Sequence, residues 1–165
     1  MPNYLFVDRP DDISQTIGEH ARVGVDTEFM REKTYFAQLC LVQVSTPDAI
    51  YCVDPLTDTG KDAFWSGLLA NDWIVQSARQ DIEVIFQATG AMPRQIFDTQ
   101  VAAGLLGMPA QLGYAGLVKT LFDVDMAKSH TRADWTRRPL PAAFLEYAAE
   151  DVEYLIPAAE RLAEK

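Results

Sequence analysis

The chain is poor in the residues that soft metals and redox chemistry require. Its 165 residues include two cysteines and two histidines. Cys40 and Cys52 each sit in an apolar, strand-like run, Leu39-Cys40-Leu41-Val42 and Ile50-Tyr51-Cys52-Val53. A thiol in such a run behaves as a small hydrophobe. Two thiols make neither a zinc pattern nor a disulfide framework, and His130 has no partner that would make it a zinc ligand. Basic residues are also scarce. Fourteen Lys and Arg face twenty-four Asp and Glu, a formal net charge of -10. This excludes indiscriminate, charge-driven binding to nucleic acid, although a nucleic acid can still be a substrate where bound cations supply positive charge locally. No apolar run approaches the ~18 residues of a membrane span. Met1-Pro2-Asn3-Tyr4 lacks the charged start and apolar run of a signal peptide. A cytoplasmic protein with no membrane association is therefore expected. No repeat, low-complexity segment or composition shift divides the chain. Residues 1–165 suit a single domain that buries roughly 70% of its unfolded surface and needs no staple.

What is present centres on Val23-Gly24-Val25-Asp26-Thr27-Glu28-Phe29. The run begins as a buried strand and then places two carboxylates two residues apart. Strand side chains alternate between faces, so Asp26 and Glu28 point one way while Val25, Thr27 and Phe29 point the other. Two carboxylates side by side on an apolar strand repel each other, and partial burial raises their pKa values further. A cation relieves that cost. Oxygen-only donors favour Mg²⁺ or Mn²⁺ over zinc.

Around this strand the pattern alternates. Tyr4–Val7, Arg22–Phe29, Phe36–Ser45, Ala49–Val53, Trp73–Gln76 and Ile96–Phe97 read as strands, with Met30–Tyr35 a polar connection. The second to fourth of these, joined by short connections, predict an antiparallel meander. Helical spacing covers Ile13–Glu19, Lys61–Ala70, Gln80–Thr89, Thr99–Leu106 with Asp98 as N-cap, Leu112–Phe122 and Ala142–Ile156. Pro157 must break the last of these, because it removes a backbone donor. The result is a layered α/β domain.

Two further acidic positions stand out. Asp81 opens a helix just after a strand; alone, it is explained by the helix dipole, worth ~0.3–1 kcal/mol. In Tyr147-Ala148-Ala149-Glu150-Asp151 the tyrosine and the last aspartate are one helical turn apart on a shared face, with small alanines between them. Either could be an ordinary helix residue. In chain order, however, Asp-x-Glu on a strand, Asp at a mid-chain helix start and Tyr-x-x-x-Asp on the last long helix form a combination.

That combination resembles the ribonuclease D branch of the DEDD 3′→5′ exonucleases, in their tyrosine form. Asp26-Thr27-Glu28-Phe29, Asp81, and Tyr147 with Asp151 match the three exonuclease motifs. Phe97-Asp98-Thr99-Gln100, Leu112-Gly113-Tyr114 and the run from Lys128 through Trp135 to Leu140 are also family-like, so the resemblance covers nearly the whole chain. It implies a ribonuclease H-like fold, with a five-stranded mixed sheet flanked by helices. It implies two divalent cations, Mg²⁺ or Mn²⁺, held by Asp26, Glu28, Asp81 and Asp151, with Asp26 the bridging ligand. It also implies that Tyr147 orients the attacking water, since an unperturbed phenol, with a pKa of ~10, is no general base. The expected activity is 3′→5′ exonucleolytic hydrolysis of RNA, or of single-stranded DNA, from a free 3′ end. Nucleoside 5′-monophosphates would be released, as in RNA processing or tRNA maturation. Two departures stand beside the match. Gln76 occupies a position where the family often has His, and the C-terminal helical domains of ribonuclease D do not follow the catalytic motifs.

Substrate contacts are assigned to Phe29 and Met30, which could pack on the terminal base. Lys128, Arg132 and Trp135 are assigned to a basic strip that reverses the overall charge and could touch phosphates. No protein partner is expected. The alternative is a catalytically weak nucleic-acid or protein interaction module on the same fold. Such a module has no need of all four carboxylates and the tyrosine.

Overall fold

The computed structural model describes residues 2–31, 35–126 and 133–165. Its six strands are β1 (Leu5–Val7), β2 (Arg22–Met30), β3 (Gln38–Ser45), β4 (Ile50–Val53), β5 (Asp72–Val75) and β6 (Gln95–Asp98). They form one mixed sheet in the order β1-β4-β3-β2-β5-β6. The expected meander is present: β2 pairs antiparallel with β3, and β3 with β4. β5 and β6 extend the sheet in parallel on the β2 side, and β1 lies parallel to β4 at the other edge. The sheet thus has six strands rather than five. The extra one is the short apolar Leu5-Phe6-Val7 segment, paired residue for residue with Tyr51, Cys52 and Val53.

Among the described residues seven α-helices cover the faces: α1 (Ser14–Gly18), α2 (Asp62–Ala70), α3 (Arg79–Thr89), α4 (Thr99–Leu105), α5 (Tyr114–Phe122), α6 (Ala142–Glu153) and α7 (Leu155–Ala163). Period-two alternation divides the core between the two faces. Val23 and Val25 join Trp73, Phe64, Leu68, Val84 and Ile85 beneath α2 and α3. On the other face Leu41, Cys52 and Ile74 meet Leu145, Ala148, Ala149 and Val152 of α6 and Leu155 of α7. Gly24 is required by this second packing. A Cβ there would meet the Ser45 hydroxyl at 2.2 Å and Leu155 at 3.1 Å.

Two irregularities shape the site. The β2–β3 register shifts between Glu28, opposite Leu41, and Phe29, opposite Leu39. Cys40 is the extra residue of this bulge, so Cys40 and Leu41 both face the α6 side. Bulges of this kind bend a strand and re-aim its side chains. The last long helix divides earlier than Pro157. α6 ends at Glu153, and Tyr154 (φ -102°, ψ 3°) separates it from α7. Pro157 has no N–H to offer the Glu153 carbonyl four residues back, and its ring would crowd that carbonyl. The break therefore falls before the proline, which is tolerated in the first turn of α7.

Among the described residues, no helix is long and apolar enough to cross a membrane.

Candidate metal centre

β2 runs beyond its parallel neighbour. Gly24 is its last residue paired with β5, opposite Ile74, and β5 ends at Val75. Asp26 and Glu28 therefore project where the sheet opens, at the carboxyl ends of the parallel strands, the usual position for a ligand in such sheets. From the covering face α6 brings Asp151 in its last turn. Ligand atoms of Asp26, Glu28 and Asp151 all lie within 4.8 Å of one another.

Asp81 arrives from α3. The turn before that helix is held by Asp98, whose carboxylate accepts the Ser77 N–H at 3.0 Å and the Ala78 N–H at 2.9 Å. The same carboxylate caps α4 through the Gln100 N–H at 2.9 Å. Ser77 takes the left-handed conformation, φ 58°, to enter the helix. Asp81 is buried and accepts a short hydrogen bond from the Thr27 hydroxyl. Thr27 lies between the two β2 carboxylates in sequence but faces the opposite way, so the Asp-x-Glu triplet addresses both sides of its strand. Asp26 is the junction: its carboxyl interacts with those of both Asp81 and Asp151, and Asp151 with Glu28.

Carboxyl groups this close coexist only by retaining protons or by taking up cations. Burial, reinforced by the neighbouring charges of Asp81, Asp151 and Glu28, raises Asp26 well above the ordinary carboxylate range. Burial is the first cause at the other three as well, and raises Glu28 to about 8, Asp151 to about 7 and Asp81 to about 6. Two side-chain donors work against this trend: the Thr27 hydroxyl at Asp81 and Gln43 at Glu28. The carboxamide nitrogen of Gln43, fully buried on β3, lies 3.1 Å from Glu28 Oε1, 3.4 Å from Asp26 Oδ2 and 3.2 Å from the Ala148 carbonyl. Gln43 thereby ties the β2 carboxylates to α6. The donor set is all hard oxygen, negatively charged when ionised and short of positive partners. It fits Mg²⁺ or Mn²⁺.

Tyr147 lies one turn before Asp151 on α6. Its ring packs beside Trp135, with centroids 6.2 Å apart and planes at 32°. Trp135 itself is 3% exposed and also meets Phe144 at 5.3 Å. This corrects its assignment as a substrate contact, because a ring enclosed on the α6 side of the core has no face left for a base or a phosphate. It instead backs Tyr147. Met30 is half-buried against the α6-side core. Phe29 is half-buried against the opposite core, beneath α2 and α3, as strand alternation requires. Lys128 and Arg132, like His130, lie outside the described residues. Within the same basic run Arg138 serves the fold. Its guanidinium forks onto Asp54 at 3.0 and 3.2 Å and donates to the Cys40 and Trp135 carbonyls.

A family model described as 3′-5′ exonuclease matches residues 7–165. The chain belongs to this 3′-5′ exonuclease family. It is 40% identical over 159 residues to Ribonuclease D of Xanthomonas oryzae pv. oryzae, a match covering 94% of this chain and 43% of the relative. Among solved structures, Escherichia coli RNase D, described as an exoribonuclease involved in structured RNA processing, superposes with a TM-score of 0.92 at 30% identity. That match covers 98% of this chain and 44% of that one. Brucella melitensis NrnC with bound Mg²⁺ gives a TM-score of 0.73 at 28% identity, covering 87% of this chain and 72% of that one. The chain thus spans less than half the length of the ribonuclease D relatives it matches.

The acids and the tyrosine are named by the sequence pattern, but Thr27 and Gln43, which hydrogen-bond the acids, are not. The available signal was Gln43, a polar residue inside the otherwise apolar Leu39–Val44 run.

Proposed function

We propose that this chain is a divalent-metal-dependent 3′→5′ exoribonuclease, hydrolysing phosphodiester bonds at the free 3′ end of RNA and releasing nucleoside 5′-monophosphates. The observation that carries this proposal is the convergence of Asp26, Glu28 and Asp151 within 4.8 Å, with Asp81 held beside them by the Thr27 hydroxyl. Asp26, Glu28, Asp81 and Asp151 would hold two cations, Mg²⁺ or Mn²⁺. Bound there, such ions supply the positive charge that favours ionisation of the attacking water and departure of the 3′-oxygen.

The chain's own residues do the rest. Thr27 and Gln43 orient the acids from opposite sides of β2. Trp135 holds the Tyr147 ring, and the Tyr147 hydroxyl positions the water for in-line attack. Met30, on the carboxylate side of β2, is the side chain proposed for the terminal nucleotide. Lys128 and Arg132 are the side chains proposed for backbone phosphates. With a net charge of -10, the protein would attract a polyanion to this cleft only when divalent cations fill it.

The interaction-module alternative is disfavoured by cost. Four raised-pKa carboxyls in one place are expensive to keep and serve no purpose in a scaffold. The test is product analysis with RNA labelled in its last internucleotide phosphate. Chromatography should show labelled nucleoside 5′-monophosphate as the first product in Mn²⁺. Nucleoside 3′-phosphates, or oligonucleotides cut internally, would contradict the proposal.

A further inference from the structure

The break between α6 and α7 is occupied. The hydroxyl of Tyr114, the first residue of α5, donates to the Glu150 carbonyl at 2.7 Å and accepts the Tyr154 N–H at 3.0 Å. In an unbroken helix those two backbone groups, four residues apart, would bond each other. A side chain inserted into the ladder is one of the few ways to divert a helix. Here it acts at the residue immediately before Asp151. The Tyr114 ring also lines a cavity of about 180 Å³ together with Val25, Asp26, Gln76, Asp151 and Leu155.

Tyr114 is itself anchored. The Leu112 carbonyl, two residues earlier, accepts Gln76 Nε2 at 2.8 Å and Gln100 Nε2 at 3.2 Å. Gln76 Oε1 in turn accepts the Thr99 hydroxyl. Gln76 directly precedes the Ser77–Ala78 turn that Asp98 holds in front of Asp81. A chain of hydrogen bonds therefore runs from the Asp81 arm of the centre, through Gln76 and the Leu112 carbonyl, then along the backbone to Tyr114 and into the Asp151 arm.

We infer that Tyr114 is a positioning residue of the metal centre: its hydroxyl, wedged into the α6–α7 break and registered by Gln76, sets where Asp151 stands relative to Asp26 and Asp81. The inference rests on the metal-centre reading above. Tyr114 gives its proton to a backbone carbonyl and takes no part in proton transfer to substrate. The family-like Leu112-Gly113-Tyr114 segment thereby acquires a role, as does Gln76. The Gln76 side chain is a spacer between the Leu112 carbonyl and the Thr99 hydroxyl.

Tyr114→Phe separates this role from simple packing. It keeps the ring and removes the wedge, so the Glu150 carbonyl and Tyr154 N–H can close on each other and draw Asp151 out of register. Mn²⁺ affinity is read by calorimetry on the wild type, on Tyr114→Phe and on Gln76→Leu, alongside circular dichroism, turnover and KM for a short RNA. The expected result is a roughly tenfold weaker Mn²⁺ Kd and a comparable fall in kcat for Tyr114→Phe, with KM within twofold and helicity unchanged. Gln76→Leu should weaken Mn²⁺ in the same direction, by roughly threefold, and decides the matter if Tyr114→Phe does not fold. Wild-type Mn²⁺ affinity in the folded variants, whatever their melting temperature, overturns the positioning role and leaves the metal centre standing. Failure of the wild type itself to bind Mn²⁺ overturns both.

Discussion

Loading the carboxylate centre with Mn²⁺ near pH 6.5 should expel protons, and their number follows from the geometry. Burial raises Glu28 to about 8, Asp151 to about 7 and Asp81 to about 6. At pH 6.5 these three together retain about two protons, and Asp26, raised further by burial and by its three acidic neighbours, adds up to about one more. Cations bind the ionised carboxylates, so each bound proton must leave. Titrating Mn²⁺ in two buffers of different ionisation enthalpy reads the count directly. The expected result is release of about two to three protons at pH 6.5, falling toward about one or fewer near pH 8.5, with Mn²⁺ affinity rising over the same interval. The same linkage acts on folding. An acid whose folded pKa lies above its unfolded value holds protons that the unfolded chain has already lost. Its protonated form supports the fold below about pH 4, and that support is lost as pH climbs through 6 to 8. Metal-free protein should therefore lose stability as pH rises from about 4 to 7, by an amount on the order of 4 kcal/mol if Asp151 alone is counted from 3.8 to about 7. Saturating Mn²⁺ should flatten the slope. Mn²⁺ binding at pH 6.5 with no buffer dependence would mean the acids are already ionised, and would refute the electrostatic reasoning.

Three further outcomes follow from named contacts. Tyr147→Phe should lower kcat by about 10²-fold while Mn²⁺ affinity stays near wild type; full turnover would remove the hydroxyl from the mechanism. Trp135→Ala vacates a core position behind Tyr147 and should cost ~3–5 kcal/mol in denaturant unfolding. Trp135→Phe should retain most of the stability and leave RNA KM unchanged, and a raised KM in the folded Phe variant would restore Trp135 as a substrate contact. Asp54→Ala strands the Arg138 guanidinium, which is 26% exposed in its side chain against 10% for Asp54. It should destabilise by roughly 3 kcal/mol, whereas a change below about 0.5 kcal/mol would mean that water already screens the pair.

The acids and Tyr147 were legible because strand alternation and helical spacing are local rules: Asp26 with Glu28, and Tyr147 with Asp151, each share a face by period alone. The meander was legible from short connections, and the Asp98 cap from its place before an apolar helix. What holds the acids was less visible, because it depends on distant pairings. Gln43 reaches from β3 to Glu28 on β2 and Ala148 on α6, and Tyr114 reaches Glu150 from another helix. Trp135 was misassigned because a tryptophan beside arginines has the composition of a nucleic-acid strip. Only the packing of α6 shows that its ring is enclosed and that Arg138 is engaged by Asp54. The position of the helix break was misread by three residues, since the effect of Pro157 falls on the carbonyl four positions earlier.

The most direct measurement is a time course on 5′-labelled single-stranded RNA with a free or 3′-phosphorylated end, in Mg²⁺, Mn²⁺ or EDTA, comparing wild type with Asp26→Ala. The expected result is a ladder that shortens from the free 3′ end in either metal and is absent in EDTA and in Asp26→Ala. Slowing is also expected when the 3′ end is phosphorylated. A ladder that persists in EDTA, or in Asp26→Ala, would contradict the claim that this carboxylate centre carries the reaction.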